Sequence, residues 1–309
     1  MFPVIIIAFI ILGVEFIIGI IANGLMIVVN CREWIRSRKL TCCDMILTSL
    51  GISRFFLQCV ILINHIISAL PPGMKGLCDI WRTFYVVWVY LNILSLWFAT
   101  WLSVFYCVKI ANFSQCLFLW LKQRISGLLP KLLLGSLLVS LVTCLPAVNN
   151  IHKKYIGNST NMLSGNTTEQ CTYNLSSGLS VLSMLGYSFP FFIFIVPAIL
   201  LITSLWRHKK RMEKNTSCSR DTIAKAHIRA IKGLISFIFF HICYSALLVL
   251  FLSKRFLNSS LYFIWFCVVV VAAYPSGHSV ILIMGNPKLK RVAVRALSYS
   301  KCRLREEVS

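Results

Sequence analysis

The sequence predicts an all-α membrane protein: a bundle of seven transmembrane helices with the N-terminus extracellular and the C-terminus cytoplasmic. Three observations carry this. Hydrophobic residues make up 58% of the 309 and charged residues only 13%, with a mean hydropathy of +0.80, whereas a soluble domain is about a quarter charged. Apolar runs long enough to cross a bilayer as helices recur at roughly 3–30, 43–70, 83–108, 128–148, 181–206, 231–253 and 261–284. Positive charge alternates between the connecting segments: 24 of the 31 Lys and Arg lie in 31–43, 109–131, 207–232 and from 288 onward, which the positive-inside rule assigns to the cytoplasm. Seven apolar segments cannot close a barrel, so each must satisfy its backbone as a helix.

The first run has no basic residue before it and is followed by Arg32, Arg36, Arg38 and Lys39. It therefore reads as a retained helix with a stop-transfer cluster, not as a cleaved signal. It carries Glu15, for which a protonated bystander and a cavity-lining group are both open readings, and Asn23. The second run places Arg54 within SLGISRFF. A central arginine costs on the order of 3 kcal/mol on insertion scales unless it faces protein or water, so Arg54 is expected to point inward. Asn23 and the seventh-run pair His278-Ser279 lie at comparable depth, and the four are expected to form a structural polar network. His65 and His241 read as core or interfacial residues.

The third run sets Trp88 and Asn92 one helical turn apart on one face. An indole and an amide in an apolar helix need something to face, and a pocket is expected there. Beyond it the chain turns basic and amphipathic at Lys109, Lys122 and Arg124, as a helix does on leaving lipid on the cytoplasmic side; a partner-binding surface is expected. The fourth run leads into the one long outer loop, where the sequons at Asn158, Asn166 and Asn174 crowd together. A glycan is expected on at least one of them. Cys78 and Cys171 alone of the thirteen cysteines face the outer compartment, and a bond between them is chemically allowed but not fixed by the sequence. The fifth, sixth and seventh runs complete a single domain over 1–309, with 285–309 as a cytoplasmic tail.

The net charge of +22 reads as topology and attraction to anionic lipid, not as a nucleic-acid surface. No Gly-rich phosphate loop, HExxH, nucleophile elbow or intramembrane carboxylate pair is present in the sequence. No pair of Cys or His has zinc spacing. An enzyme is not expected, nor any cofactor or metal.

Several runs of residues resemble the bitter taste receptors, the type 2 branch of taste G-protein-coupled receptors. They include Asn23-Gly24, Val29-Asn30, Arg38-Lys39-Leu40 and Leu50-Gly51-Ile52-Ser53-Arg54 in the first two helices. In and after the third they include Ala99-Thr100-Trp101-Leu102-Ser103, Lys109-Ile110-Ala111-Asn112-Phe113-Ser114 and Leu117-Phe118-Leu119-Trp120-Leu121-Lys122. Later come Pro190-Phe191, Ala226-His227, Tyr274-Pro275, His278-Ser279 and Asn286-Pro287-Lys288-Leu289-Lys290. The Asp-Arg-Tyr and Asn-Pro-x-x-Tyr hallmarks of rhodopsin-like receptors are missing, with Phe105-Tyr106-Cys107 and His278-Ser279 in their places.

The resemblance implies a plasma-membrane chemosensory receptor that detects small bitter compounds and activates a gustducin-type heterotrimeric G protein. It implies an agonist site in the outer half of the bundle at Trp88 and Asn92, with Tyr85 one turn above and Tyr187, Tyr244 and Val268 contributed by the fifth, sixth and seventh helices. The implied coupling surface comprises Tyr106, Lys109, Lys122 and Arg124. A vomeronasal type 1-like chemoreceptor is the nearest alternative, and it would lack the KIANFS and LFLWLK runs. A transporter would need a continuous polar path.

Overall fold

The computed structural model describes residues 2–68, 77–111, 116–148, 151–157, 167–173, 177–212, 232–233, 235–244, 246–247 and 261–308. Its elements are α1 (Phe2–Ser37), α2 (Cys42–Ser68), α3 (Leu77–Ile110), α4 (Cys116–Val148), β1 (Ile151–Gly157), β2 (Thr167–Tyr173), α5 (Ser177–Met212), α6 (Ile235–Tyr244), α7 (Leu261–Gly285) and α8 (Pro287–Val308). Among the described residues six helices are long and apolar enough to cross a membrane, and α6 is a shorter apolar helix inside the run expected at 231–253.

The all-α expectation needs one correction. β1 and β2 pair antiparallel, Ile151 opposite Tyr173 and Gly157 opposite Thr167. Seven-residue strands with Ile, Tyr and Thr among polar neighbours suit a ribbon outside lipid. β2 touches α3. Helix bounds also differ from the apolar runs. The fourth helix starts at Cys116, twelve residues before the expected 128, so Leu117–Arg124 is its first turns and not a separate loop. The expected tail at 285–309 is largely the amphipathic helix α8.

α3 is the hub. It packs on α2, α4 and α5, and 67% of its apolar window is buried against 22% for α1. The core around it joins Leu50 of α2, Leu94, Phe98 and Leu102 of α3, Phe194 and Leu201 of α5, Phe237 of α6 and Tyr274 of α7. The outward faces are apolar too: Ile10, Ile17 and Ile21 of α1, Leu134, Leu138 and Val142 of α4, and Phe192 and Val196 of α5 are all exposed. Such a belt is stable only against hydrocarbon.

With lipid as apolar as leucine, helices associate through close packing and hydrogen bonds rather than through the hydrophobic effect. Both are visible. A Cβ on Gly19 would overlap the amide end of Gln58, so the glycine leaves the space on α1 that this α2 side chain fills. Thr100 and Ser103 of α3 donate to the α5 carbonyls of Pro190 (2.9 Å) and Phe194 (3.3 Å), and Trp101 Nε1 donates to Ser136 Oγ of α4 at 2.8 Å.

The inner ends are tied as firmly. α1 ends at Ser37, and Arg38 follows in the left-handed region at φ 54°, where its N–H still reaches the carbonyl of Trp34. Thr41 Oγ1 caps α2 by accepting from the Asp44 N–H. Asn286 Oδ1 accepts from the N–H groups of Lys288 and Leu289, with Pro287 opening α8. Lys288 Nζ then contacts Glu33 (2.6 Å), Asn30 Oδ1 (3.1 Å) and Asp44 (3.4 Å), which joins α8 to α1 and α2.

Candidate ligand-binding site and polar core

The spacing of α1 and α2 sets a polar ladder at their interface. Glu15, Gly19 and Asn23 recur every four residues on one face of α1, and Arg54 and Gln58 do so on α2. Asn23 Nδ2 donates to the Gly19 carbonyl (2.9 Å) and to Gln58 Oε1 (3.4 Å). Its Oδ1 accepts from Ser279 Oγ at 2.7 Å. Arg54, fully buried, donates from Nε to Ser95 Oγ and from Nη1 to Ser279 Oγ, both at 3.2 Å, and its guanidinium lies 5.4 Å from the Tyr274 ring centre. One cation thus ties α2 to α3 and α7 through hydroxyls alone.

Asn23, Arg54 and Ser279 meet directly. His278 is buried too, with its ring packed 5.1 Å from that of Phe237. Three further members were missed from the sequence: Ser95, Gln58 and Tyr274. Each carries a usable signal. Ser95 continues the Trp88–Asn92 face one turn inward, Gln58 is one turn beyond Arg54, and Tyr274 one turn before His278.

In the N-terminal half of α3, Trp88 is half-buried and bridges two clusters, Leu57, Val60 and Leu91 on the α2 side and Val89, Ile93, Trp97 and Cys144 on the α4 side. Tyr85 stacks on Trp88 at 5.9 Å. Tyr187 of α5 packs on the second cluster and lies 6.4 Å from Tyr244 of α6, which in turn lies 5.8 Å from Tyr274. Asn92 is buried and turns its Nδ2 back to the carbonyl of Trp88 at 3.0 Å. Its Oδ1 is left as the free end of the amide for any other contact. Val268 is half-buried on α7. Tyr85 and Trp88 on α3 and Tyr187 and Tyr244 on α5 and α6 thus make two aromatic pairs, of which Tyr85, Trp88 and Tyr187 pack on one cluster. A small cavity lies elsewhere, between α1, α2 and α7, and neither Trp88 nor Asn92 lines it.

At the end of α3 and the start of α4, Lys109 and Arg124 are exposed, Lys122 is half-buried, and Arg124 lies 5.7 Å over Trp120. Tyr106 faces α2 instead, its hydroxyl 3.6 Å from Cys43 Sγ. Asn158, Asn166 and Asn174 lie outside the described residues, as do the side chains of Cys78 and Cys171. His65 lines the small cavity, and His241 is buried and stacks on Phe191 at 3.9 Å. Among the described residues no group of His, Cys, Asp or Glu could hold a metal ion.

Lipid-facing apolar helices, a buried arginine held by hydroxyls across three of them, and basic helix ends define a multi-pass helical membrane protein. The comparisons with known proteins agree. The family model described as Taste receptor protein (TAS2R) matches residues 1–301. The chain is 39% identical over 294 residues to taste receptor type 2 member 7 of Rattus norvegicus, covering 94% of each chain. It is 38% identical over 285 residues to the member 7 protein of Papio hamadryas, covering 92% of this chain and 90% of that one. It is 36% identical over 287 residues to taste receptor type 2 member 40 of Gallus gallus, covering 92% of each. The chain belongs to the type 2 taste receptor family, the bitter taste branch of the G-protein-coupled receptors, and is a receptor and not an enzyme.

Proposed function

We propose that this receptor sits in the plasma membrane, binds small bitter compounds in the outer half of its bundle and activates a gustducin-type G protein. The seven crossings are α1 to α7, with the sixth running through 231–253, in a single domain over 1–309. The N-terminus is outside and 285–309 is cytoplasmic. The charge alternation along the chain supports this orientation.

The observation that supports the agonist site best is the stacked pair Tyr85 and Trp88 one turn from the buried Asn92, with the pair Tyr187 and Tyr244 on α5 and α6. Aromatic walls with one or two polar groups are the composition of small-molecule sites. Trp88 stacks on the ligand and Asn92 Oδ1 accepts a hydrogen bond from it, with Val268 closing the α7 side. An agonist that contacts α3, α6 and α7 better in one arrangement shifts the population toward it by its differential affinity. The inner ends then present Tyr106, Lys109, Lys122 and Arg124 to the G protein. At least one of Asn158, Asn166 and Asn174 carries a glycan in the extracellular loop. The test is calcium release in cells co-expressing a gustducin-chimeric Gα subunit and challenged with a panel of bitter compounds. Dose-dependent release that vanishes without the chimera supports the reading; ionic current in cells lacking G protein contradicts it.

A further inference from the structure

The cavity between α1, α2 and α7 is lined by Leu12, Glu15 and Phe16 of α1, Gln58 and His65 of α2, and Ala272 of α7, among others. It is partly open and has about 20 Å³ of water-accessible space, and roughly 10–15 Å³ suffices for one water-sized group. Glu15 Oε2 is shielded from solvent and has no hydrogen-bond partner. A carboxyl group at this depth is costly unless something pairs with it. Gln58, the neighbouring polar wall, already receives the Asn23 amide on Oε1.

We infer that this cavity is a second ligand site, which takes the ammonium group of a small amphiphilic amine against Glu15. The inference goes beyond the agonist site at α3 and does not depend on it. Three features select this chemistry. An ammonium group is water-sized and donates charge-assisted hydrogen bonds to a carboxylate. The ammonium head alone fills the space beside Leu12, Phe16 and Ala272, so the hydrocarbon that an amine carries leaves through the cavity's open side. A bare hard cation would need about six oxygen ligands, and the lining side chains offer oxygens from Glu15 and Gln58 alone. His65, on the same wall, tolerates the cation in its neutral form.

The probe is phenethylammonium chloride, with neutral 3-phenylpropan-1-ol as its control. The readout is the thermal unfolding midpoint of the purified full-length receptor in detergent over a concentration series. The expected result is a saturable rise with the ammonium and none with the alcohol. Glu15→Gln, which is isosteric, should weaken the half-saturating concentration by about tenfold or more, as loss of a charge-assisted hydrogen bond implies. Glu15→Asp should keep saturable binding at reduced affinity and serves as the second variant if Glu15→Gln folds poorly. Trp88→Ala should leave the shift intact, which separates this site from the one at α3. An absent shift, an equal shift with the alcohol, an unchanged series in Glu15→Gln, or loss of the shift in Trp88→Ala would each overturn the inference.

Discussion

Ser279 Oγ accepts from Arg54 Nη1 at 3.2 Å while donating to Asn23 Oδ1 at 2.7 Å, so one hydroxyl on the last crossing joins groups 225 and 256 residues away in sequence. Removing it should unlatch α7 from both α1 and α2. Interhelical hydrogen bonds in membrane proteins average roughly 0.6 kcal/mol and reach about 1.7. Ser279→Ala should therefore lower the unfolding midpoint modestly, by the equivalent of about 1–2 kcal/mol. Arg54→Ala should lower it far more, since it also leaves a cavity at the centre of the bundle. Equal midpoints for the two variants would mean that Arg54 is held by something other than this network.

Gly19 and Gln58 make a second, steric prediction. A methyl group at 19 would overlap the Gln58 amide, and overpacking of this kind costs roughly 1–3 kcal/mol. Gly19→Ala should be destabilised in a detergent melt, and adding Gln58→Ala should recover much of the loss. A Gly19→Ala receptor as stable as the parent would show that the Gln58 amide swings aside and is not held against Gly19.

The indole of Trp101 and the hydroxyl of Ser136 hold α3 to α4 by one bond of 2.8 Å. Trp101→Phe and Ser136→Ala should each cost about 1 kcal/mol, and the double variant scarcely more than either, because both delete the same bond. Additive losses would deny the pairing.

Lys288 faces two carboxylates, of which Asp44 is the more buried, with side-chain exposures of 10% for Asp44 and 47% for Glu33. Lys288→Met should destabilise the inner end by about 1 kcal/mol at low salt, and less as salt screens the exposed Glu33 pair. Asp44→Asn added to Lys288→Met should restore part of it by removing the unpaired charge. No recovery would place the cost in lost packing of the lysine stem instead.

Much of this was legible in the sequence because lipid imposes simple demands. Apolar length located the spans of α1 to α5 and α7, and the cost of Arg54 in lipid required an inward orientation that the structure displays. Legibility failed where tertiary context overrides local signals. Apolar length opens the fourth run at 128, yet α4 begins at Cys116, because its first turns mix Lys122, Gln123 and Arg124 with apolar residues and so do not stand out as an apolar run. The hairpin at β1 and β2 is short and polar, with neither length nor strict alternation to announce it. At the α3 site, the face shared by Trp88 and Asn92 was visible, but not that the Asn92 amide would turn back to its own helix. The cavity at Glu15 needs three helices to exist, and no single stretch of chain encodes it.

The agonist site on α3 is tested most directly by calcium dose–response curves for Trp88→Ala and Asn92→Ala beside the parent, with surface expression measured on the same cells. The account predicts normal expression with responses abolished or shifted to higher agonist by about tenfold or more. Curves that superimpose on the parent at equal expression would contradict it, and the recognition of bitter compounds would have to lie elsewhere in the bundle.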